Sequence, residues 1–430
     1  MKNLLRYNVV LLLLISILIS SCENKKELSI RDKSASEILG NPNYLAISYG
    51  GYRNTTRDIQ PTIPELKEDL KILSAMGVKI LRTYNLQLEQ APNILKAIRE
   101  LKTEDLSFEM YVKLGAWIDC ENAWTSNPNH DKEDESANSI EIQKAINLAN
   151  LYPDIVKIIA VGNEAMVHWA SSYYVQPTVI LKWVNHLQNL KNQNKLSKTL
   201  WITSSDNFAS WGGGDSSYHS KSLKALIDAV DYISMHTYAF HDTHYNSDFW
   251  ELSESNKAQF SEMALIEKSM ENVYSHSVSQ YNSVKNYINS LGIKKPIHIG
   301  ELGWATVSSG FYGKKGSHAA DELKQAMYFK QMREWTNSEE ISCFYFEAFD
   351  EPWKDPTGNS NGSENHFGLF TVEGKAKYAL WDSVDNGVFK GLTRNGSLIE
   401  KTYNGSRKNL LKDVLIPKLI KSKLKISENN

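Results

Sequence analysis

YLAISYGGYRNTTRDIQPTIPELKEDLKILSAMGVKILRTY, residues 44–84, carries the pattern that decides the architecture. Residues 44–49 form a short apolar run of strand type. Residues 63–76 then place Leu66, Leu70 and Leu73 at helical spacing, and Gly77 follows as a C-cap. A second strand is expected at 80–84. The alternation continues, with strands expected at 108–117, 156–161, 200–204, 232–236, 296–300 and 343–349. Helices are expected at 92–102, 140–151, 178–191, 222–230, 277–291 and 319–335. Alternation of this kind implies parallel strands joined by right-handed helical crossovers, and eight units imply an α/β fold, a (β/α)8 TIM barrel in one catalytic domain. Tyr49-Gly50-Gly51-Tyr52 after the first strand is not the G-x-G-x-x-G turn of a dinucleotide site. No internal repeat of 20–50 residues is present.

Outward from this core, the barrel is expected over residues 43–390, with 391–430 as a C-terminal extension. Residues 241–275 are a long aromatic and charged segment after the sixth strand, of the kind that shapes a site. The basic, partly amphipathic tail 410–426 reads as a solvated terminal helix. The 430 residues are 41% apolar and 23% charged, the composition of a globular protein. Forty-eight basic and fifty acidic side chains give a net charge of −2, so no nucleic-acid partner is expected. Three cysteines cannot make a disulfide scaffold, and no bridge is expected between Cys120 and Cys343.

The N-terminus reads as an address. Lys2 and Arg6 precede an apolar run at 9–19 that, as a helix, spans ~17 Å, short of the ~30 Å hydrocarbon core. That favours a signal peptide over a membrane span. Ile19-Ser20-Ser21-Cys22 resembles the lipobox of bacterial lipoproteins, which implies a signal peptide at 1–21 and lipidation of Cys22. A tether is then expected at 22–42, and the protein is expected outside the cytoplasm, lipid-anchored to a bacterial membrane, at the outer membrane or cell surface.

In a barrel of this kind the chemistry sits at the C-terminal ends of the strands. The fourth strand ends Ala160-Val161-Gly162-Asn163-Glu164, and the seventh ends Ile299-Gly300-Glu301-Leu302-Gly303-Trp304. Each puts a glutamate on the same rim. Two carboxylates on one rim suit glycoside hydrolysis, in which one acid protonates the leaving oxygen and one anion meets the oxocarbenium-like centre. The two roles demand different pKa values.

Several motifs in order make the chain resemble family-17 glycoside hydrolases, the group of β-1,3-glucanases and related glucosyltransferases. They are Ser48-Tyr49-Gly50, Leu81-Arg82-Thr83-Tyr84, Val161-Gly162-Asn163-Glu164, Gly300-Glu301-Leu302-Gly303-Trp304, and the segment from Phe349-Asp350-Glu351-Pro352-Trp353-Lys354 to Glu364-Asn365-His366-Phe367-Gly368-Leu369-Phe370. The family often has threonine where Leu302 stands. The resemblance implies a retaining β-1,3-glucanase of laminarin-type glucan, read as a glucan endo-1,3-β-glucosidase with exo action left open, that needs no metal or cofactor, with Glu164 as acid/base and Glu301 as nucleophile. It implies that Asn163 binds the sugar 2-hydroxyl, that Tyr238 hydrogen-bonds Glu301, and that Glu351, Lys354 and Glu364 form a supporting charged cluster. Tyr49, Arg82 and Tyr84 are supporting residues on the same ground. Trp304 is expected as a sugar platform, Trp117, Trp124 and Trp211 as extensions of the cleft, and Glu347 as pointing into the barrel mouth. A monomer is expected. A glucosyltransferase would use the same residues. A non-catalytic glycan-binding lipoprotein would have lost a carboxylate, and both are present. His236, His241, His244 and His298 do not fit a metallohydrolase pattern, because Ala46-Ile47-Ser48-Tyr49 supplies no first-strand histidine.

Overall fold

The computed structural model describes residues 33–420 apart from Pro356. The signal peptide and Cys22 lie outside the described residues. Eight parallel strands close on themselves in the order β1-β8-β7-β6-β5-β4-β3-β2. They are β1 (Leu45–Ser48), β2 (Val78–Arg82), β3 (Tyr111–Ala116), β4 (Val156–Asn163), β5 (Trp201–Asn207), β6 (Ile233–His236), β7 (Ile297–Gly303) and β8 (Cys343–Phe346). Every strand lies where the apolar runs place it, with bounds shifted by a few residues.

The helices α1 (Ile63–Ala75), α2 (Gln90–Glu104), α3 (Glu135–Leu151), α4 (Pro177–Asn192), α5 (Lys221–Ala229), α6 (Glu262–Ser290), α7 (Glu322–Ser338) and the short α8 (Trp381–Asp385) surround the barrel. Their apolar faces pack on the outward side chains of the strands in one continuous core. In α1, Thr62 and Glu65 form a capping box, and Leu66, Leu70 and Leu73 are fully buried. Cys120 and Cys343 are buried and unbridged.

Three boundaries differ from the expectation. The tether does not extend to residue 42. Ala35–Ile38 is a helical turn whose Ala35 and Ile38 are fully buried against Ala46, Ile80, Tyr111, Ile158, Tyr232 and Phe344 at the N-terminal ends of the strands. It plugs the barrel floor. The helix expected at 277–291 starts earlier, inside the segment 241–275, which holds most of the helix Ala239–Tyr245, the strand Leu252–Ser253 and the first half of α6 from Glu262 behind its N-cap Ser261. Finally, the domain does not stop at 390. Arg394 is fully buried in an ion pair with Asp69 of α1 at 2.8 Å, Leu410 is buried, and Leu419–Ile420 pairs with Leu252–Ser253. The chain from 391 to 420 is therefore part of the packed body.

Candidate active site

Two irregularities in the strands aim the rim carboxylates. In β7 the register against β6 slips between Ile299 and Glu301, so two residues oppose one step of the partner. A bulge of this kind re-aims a side chain, and it turns Glu301 into the barrel mouth. In β4 the pairing with β5 slips between Ala160 and Asn163. Gly162 then takes φ 79° and Glu164 φ 47°. A left-handed glutamate is strained backbone of the kind that gathers at functional sites. It is held by the Glu164 N–H donating to the Ser205 carbonyl at 2.9 Å.

Glu301 is buried under two donors. Arg82 on β2 donates from Nη1 to its Oε1, and the Tyr238 hydroxyl donates to its Oε2 at 2.6 Å. Arg82 also donates to the Gly300 carbonyl at 3.0 Å and, from Nη2, to Asn163 Oδ1, while Tyr84 lies 4.6 Å under its guanidinium. Burial pushes the Glu301 carboxyl up, but the Arg82 charge and the Tyr238 bond outweigh it and hold it down at about 2. Glu164 goes the other way. Burial first, then the Glu301 and Asp206 carboxylates, push it well above the usual range against the pull of Arg82. The surroundings thus push the two carboxyls apart, Glu301 toward the ionised form and Glu164 toward the protonated one.

His236 ties the two together. Its Nδ1 lies 3.0 Å from Glu164 Oε1 and 3.9 Å from Glu301 Oε2. This shared contact keeps those two oxygens within about 7 Å of each other, so that both face one glycosidic bond.

Around the pair runs a cleft of about 1310 Å³. Asn163, Tyr84, Tyr238, Glu351, Lys354 and Glu364 line it as expected. Lys354 joins the charged cluster, 2.5 Å from Glu347 and 3.4 Å from Glu351, and its charge also lowers the Glu301 carboxyl. A Cβ at Gly50 would lie 2.0 Å from Glu351 Oε1, so the Tyr49-Gly50 motif needs its glycine for this carboxylate.

Four expected contacts are corrected. Trp304 is no sugar platform: it is fully buried, donates to the Ala319 carbonyl at 2.9 Å, and packs among Phe240, Trp250 and Tyr328. The slip in β7 that turns Glu301 inward breaks the alternation from which the direction of Trp304 would be read. Trp211 is equally buried, donating to the Ser234 carbonyl at 3.1 Å. Tyr49 packs in the core between strands and helices, where its hydroxyl donates to Asp69 at 3.0 Å. Glu347 is buried beneath Lys354 and meets the cleft only through that lysine.

Trp117 and Trp124 do line the cleft, Trp124 stacked on Tyr173 at 4.9 Å and Trp117 tilted against it at 5.1 Å, and both donate to Asp119. Trp124 is 61% exposed. The sequence reading missed Tyr52, Trp169, Tyr245, Phe311 and Trp353 in the cleft wall. Tyr52, Trp169, Phe311 and Trp353 sit on rim loops, where no period marks direction, and Tyr245 ends the short helix Ala239–Tyr245. It also missed His236 as a partner of Glu164, although His236-Thr237-Tyr238 has the spacing that puts both side chains on one strand face. The other histidines go separate ways: His241 to the Tyr312 hydroxyl, His244 onto the Phe311 ring, and His298 to the Ser342 N–H near the floor.

Residues 46–368 match the model of the BtgE/BtgC glycoside hydrolase domain. Among solved structures, the chain is similar to an endo-laminarinase from Formosa Hel1_33_131, with 61% identity over 93% of this chain and 100% of that one, and a TM-score of 0.89. A glycoside hydrolase family 17 β-1,3-glucanosyltransferase from Rhizomucor miehei shares the fold, at 17% identity over 78% of this chain and 96% of that one, with a TM-score of 0.52. A glucan 1,3-beta-glucosidase of Arthroderma benhamiae is 24% identical over 73% of this chain and 83% of its own length.

Proposed function

Because the chain belongs to the BtgE/BtgC glycoside hydrolase domain family, we propose that it cleaves β-1,3-glucan of the laminarin type internally and with retention. The carrying observation is a pair of carboxylates that share one histidine and whose surroundings push their pKa values in opposite directions. The Formosa relative, an endo-laminarinase, supports the substrate and the internal cut. In the first step Glu301 attacks the anomeric carbon while Glu164 gives its proton to the glycosidic oxygen. The carbon–oxygen bond breaks, and the glycosyl group passes to Glu301. In the second step the Glu164 carboxylate takes a proton from water, the water oxygen attacks the anomeric carbon, and Glu301 leaves. The Asn163 carbonyl faces Arg82, which leaves its amide N–H groups for the sugar 2-hydroxyl.

The two glutamates should fail differently. Glu301→Ala should be inactive on every glucoside, activated or not. Glu164→Ala should still react with an aryl glycoside whose leaving group needs no acid, then stall, and added azide should restore turnover as the β-glycosyl azide. Azide rescue of Glu301→Ala should give the α-azide. The crossed result would reverse the roles, and products longer than the substrate would mean transfer rather than hydrolysis.

We also infer that the enzyme works as a monomer held to a bacterial membrane by lipid on Cys22. The Ile19-Ser20-Ser21-Cys22 sequence supports it. Cys22→Ala should appear in the soluble fraction or stay unprocessed, and a processed variant that fractionates like the parent would overturn the anchor.

A further inference from the structure

Below the catalytic pair, the barrel interior holds a column of polar side chains that hydrolysis does not explain. Lys113 on β3 is fully buried and away from the cleft wall. Its Nζ reaches Ser205 Oγ on β5 at 3.0 Å and also Ser234 Oγ on β6. The two serine oxygens lie 2.9 Å apart, and Ser205 Oγ lies 2.8 Å from His236 Nε2. On the other side of the ring, His236 Nδ1 meets Glu164 Oε1 at 3.0 Å. All four inner residues are fully buried. The barrel makes room for them: a Cβ at Gly300 would lie 2.3 Å from Ser234 Oγ and 2.6 Å from Ser205 Oγ.

A buried lysine is costly unless it is paired. Among the described residues, no carboxylate lies within ion-pair distance of Lys113. Facing it are the Phe344 ring at 4.7 Å, Arg82 and Glu301 from above, and His236 and His298 from β6 and β7. Such a group invites a role beyond packing.

We propose that Lys113 sets the direction of this hydrogen-bond column and thereby decides which oxygen of Glu164 carries the catalytic proton. The proposal rests on the reading of Glu164 as acid/base. Nζ has at least two hydrogens to donate, protonated or not. In the proposed order both serines accept from it, Ser234 donates to Ser205, and Ser205 gives its one hydrogen to His236 Nε2. The N–H donors of Lys113, whose charged form burial disfavours, likewise favour the ring tautomer whose lone pair points down the column. His236 then carries its hydrogen on Nδ1 and donates it to Glu164 Oε1, which leaves Oε2 as the oxygen that carries the acid proton toward the leaving group. With the column reversed, Nδ1 would accept, and the acid proton would sit on Oε1, pointed into the barrel. Lys113 is thus a positioning residue that acts through three others.

The test compares kcat/KM on laminarihexaose, whose leaving group needs the acid, with kcat/KM on a 2,4-dinitrophenyl β-laminaritrioside, whose leaving group does not. Lys113→Met should lose about tenfold or more of the ~10²–10⁴-fold that general acid assistance provides on the first, and stay within about twofold on the second. Nitrogen-15 NMR, with the His236 signals assigned by their loss in His236→Asn, should show the Nδ1–H tautomer in the parent and its Nε2–H counterpart rising in the variant. Should Lys113→Met fail to fold, Ser205→Ala cuts the column beside His236 without removing a charge and should show the same split.

Equal losses on both substrates, no loss on laminarihexaose, or an Nε2–H tautomer in the parent would each overturn the proposal. Glu164→Ala run beside them separates the two readings. If it shows the split and the column variants do not, only the role of Lys113 falls. If it shows none, the acid/base reading falls and takes this one with it.

Discussion

Arg82 donates to Glu301, to the Gly300 carbonyl and to Asn163 from one planar group, so a single buried cation fixes both the charge of the nucleophile and the pose of a neighbouring amide. Glu164, a few ångströms away, is instead raised by burial and by the Glu301 charge. Neutralising that charge removes an obstacle to ionisation, so in Glu301→Gln the Glu164 midpoint should move to lower pH. Carbon-13 NMR of labelled glutamate would read it, and an unmoved midpoint would mean that burial and Asp206 set the value without Glu301. In the parent, kcat/KM should fall as pH rises through the Glu164 ionisation. The acid limb should lie far lower, toward the value of about 2 of Glu301, leaving activity flat across mildly acidic pH. Both glutamates were legible in the sequence, because a glutamate directly past an apolar strand is a rim residue in this fold. Trp304 was not. Its neighbour Glu301 marks a place where the strand slips, and past a slip, alternation no longer tells inside from outside.

The strands were legible as apolar or β-branched runs, and most helices by their spacing of leucine and isoleucine. Helix α6 was half-missed because its first turns read as part of an aromatic, charged insertion, although Leu265, Ile266, Met270 and Val273 are buried on one face. The C-terminal segment was misread for a different reason. Its most deeply buried tie to the body is a charged side chain, and sequence patterns do not reveal the partner of a lone arginine. Arg394 forks onto both Asp69 oxygens at 2.8 and 3.1 Å, and Asp69 also accepts from Arg53 at 2.9 Å and from Tyr49 at 3.0 Å. Breaking a buried pair from one side costs about 3–5 kcal/mol. Arg394→Met should fall near the low end, since Arg53 still answers the Asp69 charge. Urea unfolding would measure it, and a loss below about 1 kcal/mol would show that the segment is held by its apolar contacts alone.

At the scale of the molecule, the barrel has a polar half and an apolar half. Toward the C-terminal ends of the strands lie Arg82, Lys113, the two serines, His236 and the glutamates. Toward the other end lie Ala46, Ile80, Tyr111, Ile158, Tyr232 and Phe344, sealed by the helical turn Ala35–Ile38. That turn is also where the described chain begins, so the first residues emerge at the pole opposite the cleft. On the proposed anchor at Cys22, this fixes an attitude. A leash of about a dozen residues spans at most ~40 Å even at full extension, so the sealed pole would be moored toward the lipid and the working mouth would look outward. A long chain arriving from the surroundings could then enter the mouth without first squeezing between enzyme and bilayer, and its fragments would be released on the far side from the surface that holds the catalyst.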